Sequence, residues 1–205
     1  MLHIAADPDE LGELYARCIR CLYLHYRNEK DVGARSDTEW AASIVGYHAE
    51  EDWYELSGTP RFRFRSYGEM IESRGMKYAD FDFTLSFAGR YDALLELEDG
   101  SVVLTKCLGR TNESSPKLHQ WGLHGYAFAL EHPRTMKLDS IKIQTLGVLE
   151  FKMTPTGGGK HQVTPSRLSL LERQTERFAN WMRVVARLLA ARTPPALSCP
   201  VCAKL

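Results

Sequence analysis

Apolar and polar residues alternate most regularly between Phe81 and Leu97. Phe81, Phe83, Leu85, Phe87, Tyr91, Ala93, Leu95 and Leu97 fall at every second position, with Gly89 filling the gap, and Asp82, Thr84, Ser86, Arg90, Asp92 and Glu96 lie between them. A period of two sends successive side chains to opposite faces of a strand. After Glu98, Asp99-Gly100 supplies a turn that tolerates positive φ, and the β-branched stretch SVVLTKCL follows, so 81–108 reads as a long β-hairpin. A two-residue Asp99-Gly100 loop puts Asp92 and Lys106 on opposite faces. A three-residue loop, Asp99-Gly100-Ser101, puts Arg90, Asp92, Glu96 and Lys106 on one face and sets Glu96 opposite Leu104, because a one-residue slip flips every side chain. The second register is preferred since it gathers the charges. It describes either a site or a solvated face with a cross-strand ion pair.

Helical spacing appears elsewhere. Asp7-Pro8-Asp9 looks like a helix start, with Leu11, Leu14, Tyr15, Cys18, Leu22 and Tyr26 along one face. A second helix is expected from Asp37 or Thr38 to Leu56, with Trp40, Ile44, Tyr47 and His48 on one side and Ser57-Gly58-Thr59-Pro60 as its stop. Arg61 to Arg65 alternates arginine with phenylalanine and reads as a short strand, its phenylalanines in the core and its arginines in water; a nucleic-acid groove is the alternative. The stretch from Glu69 to Tyr78 carries no clear period. Lys117 to Glu131 is a helix opened by Ser115-Pro116 and closed by His132-Pro133. Ser140 to Met153 is one strand or two, and Pro155 to Gly159 a flexible hairpin tip without the spacing of a phosphate-binding loop. Thr164-Pro165 is expected to open a long helix to about Arg192, with Leu168, Leu171, Phe178, Trp181, Met182, Val185 and Leu188 on its buried side.

At 205 residues, 44% of them hydrophobic, the chain has enough material for one sizeable core, so a single domain over 1–205 is expected. Its 26 basic and 26 acidic residues leave no net charge, so overall balance gives no support for nucleic-acid binding, though it allows a local basic patch. No apolar run approaches the ~20 residues that span a bilayer, and the acidic start is unlike a signal peptide, so a cytoplasmic protein without a membrane partner is expected. Five cysteines include two pairs, Cys18-Ile19-Arg20-Cys21 and Cys199-Pro200-Val201-Cys202, in the terminal segments 14–26 and 197–205. Two thiolates separated by two residues can reach one tetrahedral ion or one cluster, which suits zinc and iron–sulfur chemistry alike.

Together these pieces resemble the RecB-type branch of the PD-(D/E)XK nuclease superfamily, including the CRISPR-associated RecB-like exonucleases, over most of the chain. LGELYARCIRCLYLHY is similar to that branch's N-terminal cysteine segment, Gly46-Tyr47-His48 to its helical Gly-x-His element, and Gly89-Arg90-Tyr91-Asp92 to the strand carrying its metal-binding aspartate. Lys106 falls where the family's catalytic lysine ends the next strand, Gln120 and Tyr126 where it places a glutamine-tyrosine helix motif, and CPVC where terminal cysteines close an iron–sulfur cluster. The resemblance implies an α/β (α+β) fold with a central mixed sheet flanked by helices, a restriction-endonuclease-like core, and termini joined by a four-cysteine site of Cys18, Cys21, Cys199 and Cys202. It also implies Mg²⁺ or Mn²⁺ held by His48 and Asp92, with Lys106 serving the nucleophile and Gln120 or Tyr126 contacting the substrate or the lysine.

The pattern departs from the family in two places. Leu104 stands where an acid is expected two residues before the lysine, and the glutamine-to-tyrosine spacing is longer than usual. Glu150-Phe151-Lys152 spells an acid-x-lysine but lies on a later strand, and is read as coincidence. In the preferred register Glu96, across from Leu104, becomes the replacement metal ligand. Two functions follow: a metal-dependent deoxyribonuclease acting on DNA, alone or within a larger repair or CRISPR-type assembly, or an inactive nuclease-like fold that binds nucleic acid or a protein.

Overall fold

The structure, a computed structural model, describes residues 2–28, 44–46, 53–109, 119–135, 140–157, 160–196 and 199–200. Its strands form two mixed sheets rather than the single central one expected. In the first, β1 (Leu2–Ala6) runs parallel to β5 (Phe83–Arg90), whose other edge takes the short antiparallel strands β3 (Met70–Glu72) and β4 (Met76–Tyr78). The second has the order β2-β6-β7-β8-β9: β2 (Phe62–Tyr67), β6 (Ala93–Leu97), β7 (Val102–Gly109), β8 (Thr145–Gly157) and β9 (Lys160–Leu171). Its neighbours are antiparallel except for β7 and β8, whose crossover carries helix α3 (Gln120–Glu131).

The alternation from Phe81 to Leu97 is therefore shared by two strands, β5 and β6, in different sheets. The chain changes sheet at Tyr91-Asp92, and Gly68, with φ of 61°, pins the change: its N–H donates to the Asp92 carbonyl at 3.0 Å, and Arg90 Nη1 donates to the Gly68 carbonyl at 2.6 Å. The hairpin between β6 and β7 keeps the three-residue loop length but slides it by one residue, to Glu98-Asp99-Gly100, closed by Leu97 N–H to the Ser101 carbonyl at 2.9 Å, with Gly100 at φ 77°. Both flanks move together, so the pairing moves by two and the faces are preserved. Leu94, not Glu96, lies opposite Leu104, and Glu96 lies opposite Val102.

Helix boundaries also differ from the sequence reading. The first expected helix is two, α1 (Pro8–Arg17) and α2 (Ile19–Asn28), parted at Cys18, whose backbone is extended at φ −171°, ψ 124°. Ile44–Gly46 is helical, but Tyr54 forms a bridge with Phe62, so that helix does not reach Leu56. The stretch from Thr164 is not helical; it continues β9, and α4 is Thr175–Ala190. Pro165, read as a helix opener, sits instead on an edge strand, where a missing N–H costs no ladder bond. Ser166 is the extra residue of a bulge there, its hydroxyl donating to the Glu150 carbonyl at 3.0 Å. The hairpin tip expected at Pro155 to Gly159 is narrower: Pro155 pairs with His161 and Gly157 with Lys160, so these residues belong to the strands, and Gly158 and Gly159 lie outside the described residues.

The second sheet is covered on both faces, which explains why β7 is apolar almost throughout. Leu94, Val102, Leu104, Leu146 and Val148 join the main core with α1, α3, α4 and the first sheet. Leu95, Val103, Cys107, Leu149 and Phe151 point the other way, into a second cluster with Val45, Tyr54 and Phe62. Phe62 is buried and Arg61, Arg63 and Arg65 are exposed, as the alternation predicts. Among the described residues no helix is long and apolar enough to cross a membrane.

Candidate functional site

Asp92 and Lys106 meet at the end of the β6–β7 ladder, just past the Ala93–Thr105 pair. Lys106 Nζ donates to Asp92 Oδ1 at 3.3 Å, and the Cys107 N–H donates to Asp92 Oδ2 at 2.8 Å. Both side chains face the main core, with Asp92 2% and Lys106 7% exposed. A third charge comes from the other end of the fold: Lys106 Nζ donates to Asp9 Oδ2 at 2.7 Å. One ammonium is thus clamped between two carboxylates.

The first turn of α1 delivers Asp9. Asp7 caps the helix, accepting from the Asp9 and Glu10 N–H groups at 3.0 Å each, and Pro8 supplies the preset φ of a first helical residue. Tyr126 Oη donates to Asp7 Oδ2 at 3.0 Å, fastening α1 to α3. Two glycines make this approach feasible. A Cβ at Gly89 would collide with the Asp7 carboxylate, and one at Gly122 with that of Asp9.

The electrostatics follow from burial. Asp92 is pushed up to about 7, chiefly by loss of water and further by Asp9, against the pull of Lys106 and the Cys107 amide. Burial alone would lower Lys106, but Asp9 and Asp92 outweigh it and hold the ammonium above its ordinary range. Burial, then the charges of Asp9 and Asp7, raise the Tyr126 phenol, so it remains a donor to Asp7. His119, which precedes α3, is lowered by burial, with the charge of Asp9 raising it and that of Lys106 lowering it further.

Of the residues singled out in sequence, Asp92, Lys106 and Tyr126 are gathered here. Gln120 begins α3 and is half-buried. Glu96 lies elsewhere, accepting from Arg63 Nη2 at 3.0 Å. Four residues along a strand is about 13 Å, too far to share an ion with Asp92. Leu104 is fully buried in the main core. Glu150 and Lys152 flank the buried Phe151 and are not drawn into the clamp. His48 lies outside the described residues. Sequence reasoning missed Asp7, Asp9 and His119. The signal for the first two lies in the sequence, since Asp-Pro-Asp sets two carboxylates at a helix start, but a cap is their commoner role.

The thiols form a second group. Cys18 ends α1, and its carbonyl accepts the Leu22 N–H at 3.1 Å, so Cys18 and Cys21 flank the first turn of α2. Cys21 Sγ lies 3.4 Å from Cys199 Sγ, and the sulfurs of Cys18, Cys21 and Cys199 are all within 4.8 Å of one another. The C-terminal segment is also held by Arg20 Nη1 to the Pro195 carbonyl and Tyr23 Oη to the Ala191 carbonyl, each at 3.1 Å. Three cysteines able to bind a metal therefore draw the terminal segments together. Cys202 lies outside the described residues. The fifth cysteine, Cys107, is buried in the second cluster and its thiol is pushed up by that burial.

No protein-family model matches this chain, and no curated protein matches it. Among solved structures, that of SSO0001 is similar at 11% identity with a TM-score of 0.32, over 63% of this chain and 51% of SSO0001. The match thus spans about half the length of that protein.

Proposed function

We infer that this chain is a metal-dependent nuclease acting on DNA, with Asp92 and Asp9 as its carboxylate pair and Lys106 as its cationic partner. The observation that carries the reading is the convergence of Asp9 Oδ2 and the Asp92 carboxylate on one cationic atom, at 2.7 and 3.2 Å. Carboxylate oxygens that already cradle a cation are hard donors, and Mg²⁺ typically takes one or two of them together with substrate phosphates, so the donor set suits Mg²⁺ or Mn²⁺. Bound there, the ion would polarise the phosphate and lower the pKa of a water. The chain's own groups do the rest. Lys106, held protonated, acts by its charge on phosphate oxygens and not by taking a proton. Tyr126 holds Asp7, Asp7 holds the first turn of α1, and that turn holds Asp9.

The second reading, an inactive nuclease-like binding module, draws on Leu104 being sealed in the core and on Lys106 already filling the gap between the carboxylates. Degradation of end-labelled single- and double-stranded DNA in Mg²⁺ or Mn²⁺ separates the two. Loss of cleavage in both Asp92→Ala and Asp9→Ala, with activity kept in Glu96→Ala, supports the first. No cleavage, or equal cleavage by all four proteins, leaves the binding module.

The cysteines serve a separate, structural role in this reading, with Cys202 as fourth ligand. Their close sulfurs approach the edge of about 3.8 Å that a tetrahedral zinc–thiolate site has, while the family resemblance supports an iron–sulfur cluster. Absorbance of anaerobically purified protein decides it: brown protein with iron and sulfide in one case, colourless protein with stoichiometric zinc in the other.

A further inference from the structure

Among the described residues, the hairpin of β8 and β9 reaches beyond the sheet that carries it. Pairing of β7 with β8 runs to Gly109–Phe151, and from Lys152 to Gly157 the described partner of the strand is β9, through Lys152–Thr164, Met153–Val163, Thr154–Gln162, Pro155–His161 and Gly157–Lys160. Six residues make an arm about 20 Å long. Its side chains from Lys152 to Thr156 are exposed.

Charge on this arm is one-sided. Between Glu150 and Glu172 the sequence contains Lys152, Lys160, His161 and Arg167 and no aspartate or glutamate, in a chain whose 26 basic residues are otherwise matched by 26 acidic ones. The arm also has two unlike faces. Lys152, Thr154 and Thr156 continue the alternate row Leu146, Val148, Glu150, and Val148 is paired with Lys106, so this polar row lies on the Lys106 side of the sheet. Met153, 44% exposed, and Pro155 lie on the opposite side. Beyond Glu150, which lies opposite Arg167 in the ladder, a lysine with two threonine hydroxyls is a set of donors, the equipment that contacts phosphate oxygens. A two-stranded ribbon also fits a major groove about 12 Å wide.

We propose that the β8–β9 arm is a DNA-binding element that holds the phosphate backbone by the positive charge its sequence carries at Lys152 and Lys160, and that Lys152 leads the backbone along the Lys106 face of the sheet. The direction toward the site rests on the nuclease reading; the contact between arm and DNA does not.

The test is fluorescence anisotropy of a labelled duplex of about 20 base pairs, two helical turns, with the full chain in EDTA so that cleavage plays no part. Lys152→Glu/Lys160→Glu is expected to bind at least about 10-fold more weakly and to lower the slope of log affinity against log salt by about 2, since each phosphate contact contributes about 0.9. Lys152→Arg/Lys160→Arg is expected to bind like wild type. Lys77→Glu/Lys142→Glu, an equal charge change at exposed positions elsewhere, is expected to leave affinity nearly unchanged. Unchanged affinity and slope in the arm variant, equal weakening in the control, or no binding by wild type would each overturn the proposal; tight capture of a protein in place of the duplex would do the same. A chain that binds through the arm yet never cleaves in Mg²⁺ keeps this inference and sinks the nuclease reading. A chain that cleaves, and whose arm variant binds as wild type, does the reverse.

Discussion

Asp92 is 2% exposed and has two donors in place of most of its water, which makes its titration a property of the fold. Its carboxyl is raised to about 7 from an ordinary 3.8, so between those values the folded state binds the proton and the unfolded chain does not. Stability from this group is therefore greatest at low pH and falls as pH rises from about 4 to about 7. Lys106 is raised in the folded state, so its contribution is complete below 10.5 and is lost only above that, as pH passes its folded value. Asp92→Asn should flatten the lower slope, seen as a smaller loss of unfolding free energy between pH 4 and 7 in urea titrations. Lys106→Met leaves two acids facing each other without their cation, and removing one partner of a buried pair costs about 3–5 kcal/mol. A fall in melting temperature of about 10 °C is expected by calorimetry. Glu96→Ala breaks only a surface pair with Arg63, whose side chains are 28% and 48% exposed, and should change stability by less than about 1 kcal/mol. Asp92 and Lys106 were legible because strand alternation set them on one face. Asp9 was not, because nothing local says that an acid in a first helical turn will also reach a strand so distant in the chain.

At the level of elements, β9 shows how a local signal loses to pairing. Thr-Pro followed by leucines three residues apart reads as a helix, yet β8 offers a full ladder of backbone partners and an edge position that tolerates Pro165. Both readings bury Leu168, and what separates them is the backbone ladder of β9 on β8. In the strand Leu168 is 4% exposed and Leu170 is 42% exposed. Leu168→Ala should cost about 2–4 kcal/mol and Leu170→Ala less than about 0.5, measured by chemical denaturation. Equal costs would contradict the strand. Gly122 carries a second element-scale constraint. Alanine there meets the Asp9 carboxylate and the α1 backbone, so Gly122→Ala should destabilise by about 1–3 kcal/mol despite alanine's better helix propensity.

For the molecule as a whole, the two sheets and the two chain ends are joined at separate places. Tyr91-Asp92 carries the chain from β5 to β6, and Asp92 there also meets Lys106, so the sheet junction and the candidate site coincide. The ends meet at Cys18, Cys21 and Cys199. A metal bound there stabilises only the folded chain, so stripping it with a chelator should lower the melting temperature. It should also speed tryptic cleavage after Arg192, just before the cysteine tail, while residues of α4 stay protected. A chelator without effect on either readout would show that the three thiols hold no metal in the purified protein.

Sequence alone determined whatever depends on a repeating local period: the strands β5, β6, β7 and β2, the apolar faces of α1, α3 and α4, the common face of Asp92 and Lys106, and the two Cys-x-x-Cys pairs. These follow from side-chain geometry that repeats every two or 3.6 residues and needs no distant partner. Only the tertiary structure decided the division into two sheets, the one-residue slide of the Glu98-Asp99-Gly100 loop, the strand at Pro165 and the arrival of Asp9 at Lys106. Each of those depends on which distant backbone or charge offers the better partner, and that choice is made by burial: a core that seals Leu104 and Asp92 from water requires a counter-charge, and the first turn of α1 lies where it can supply one.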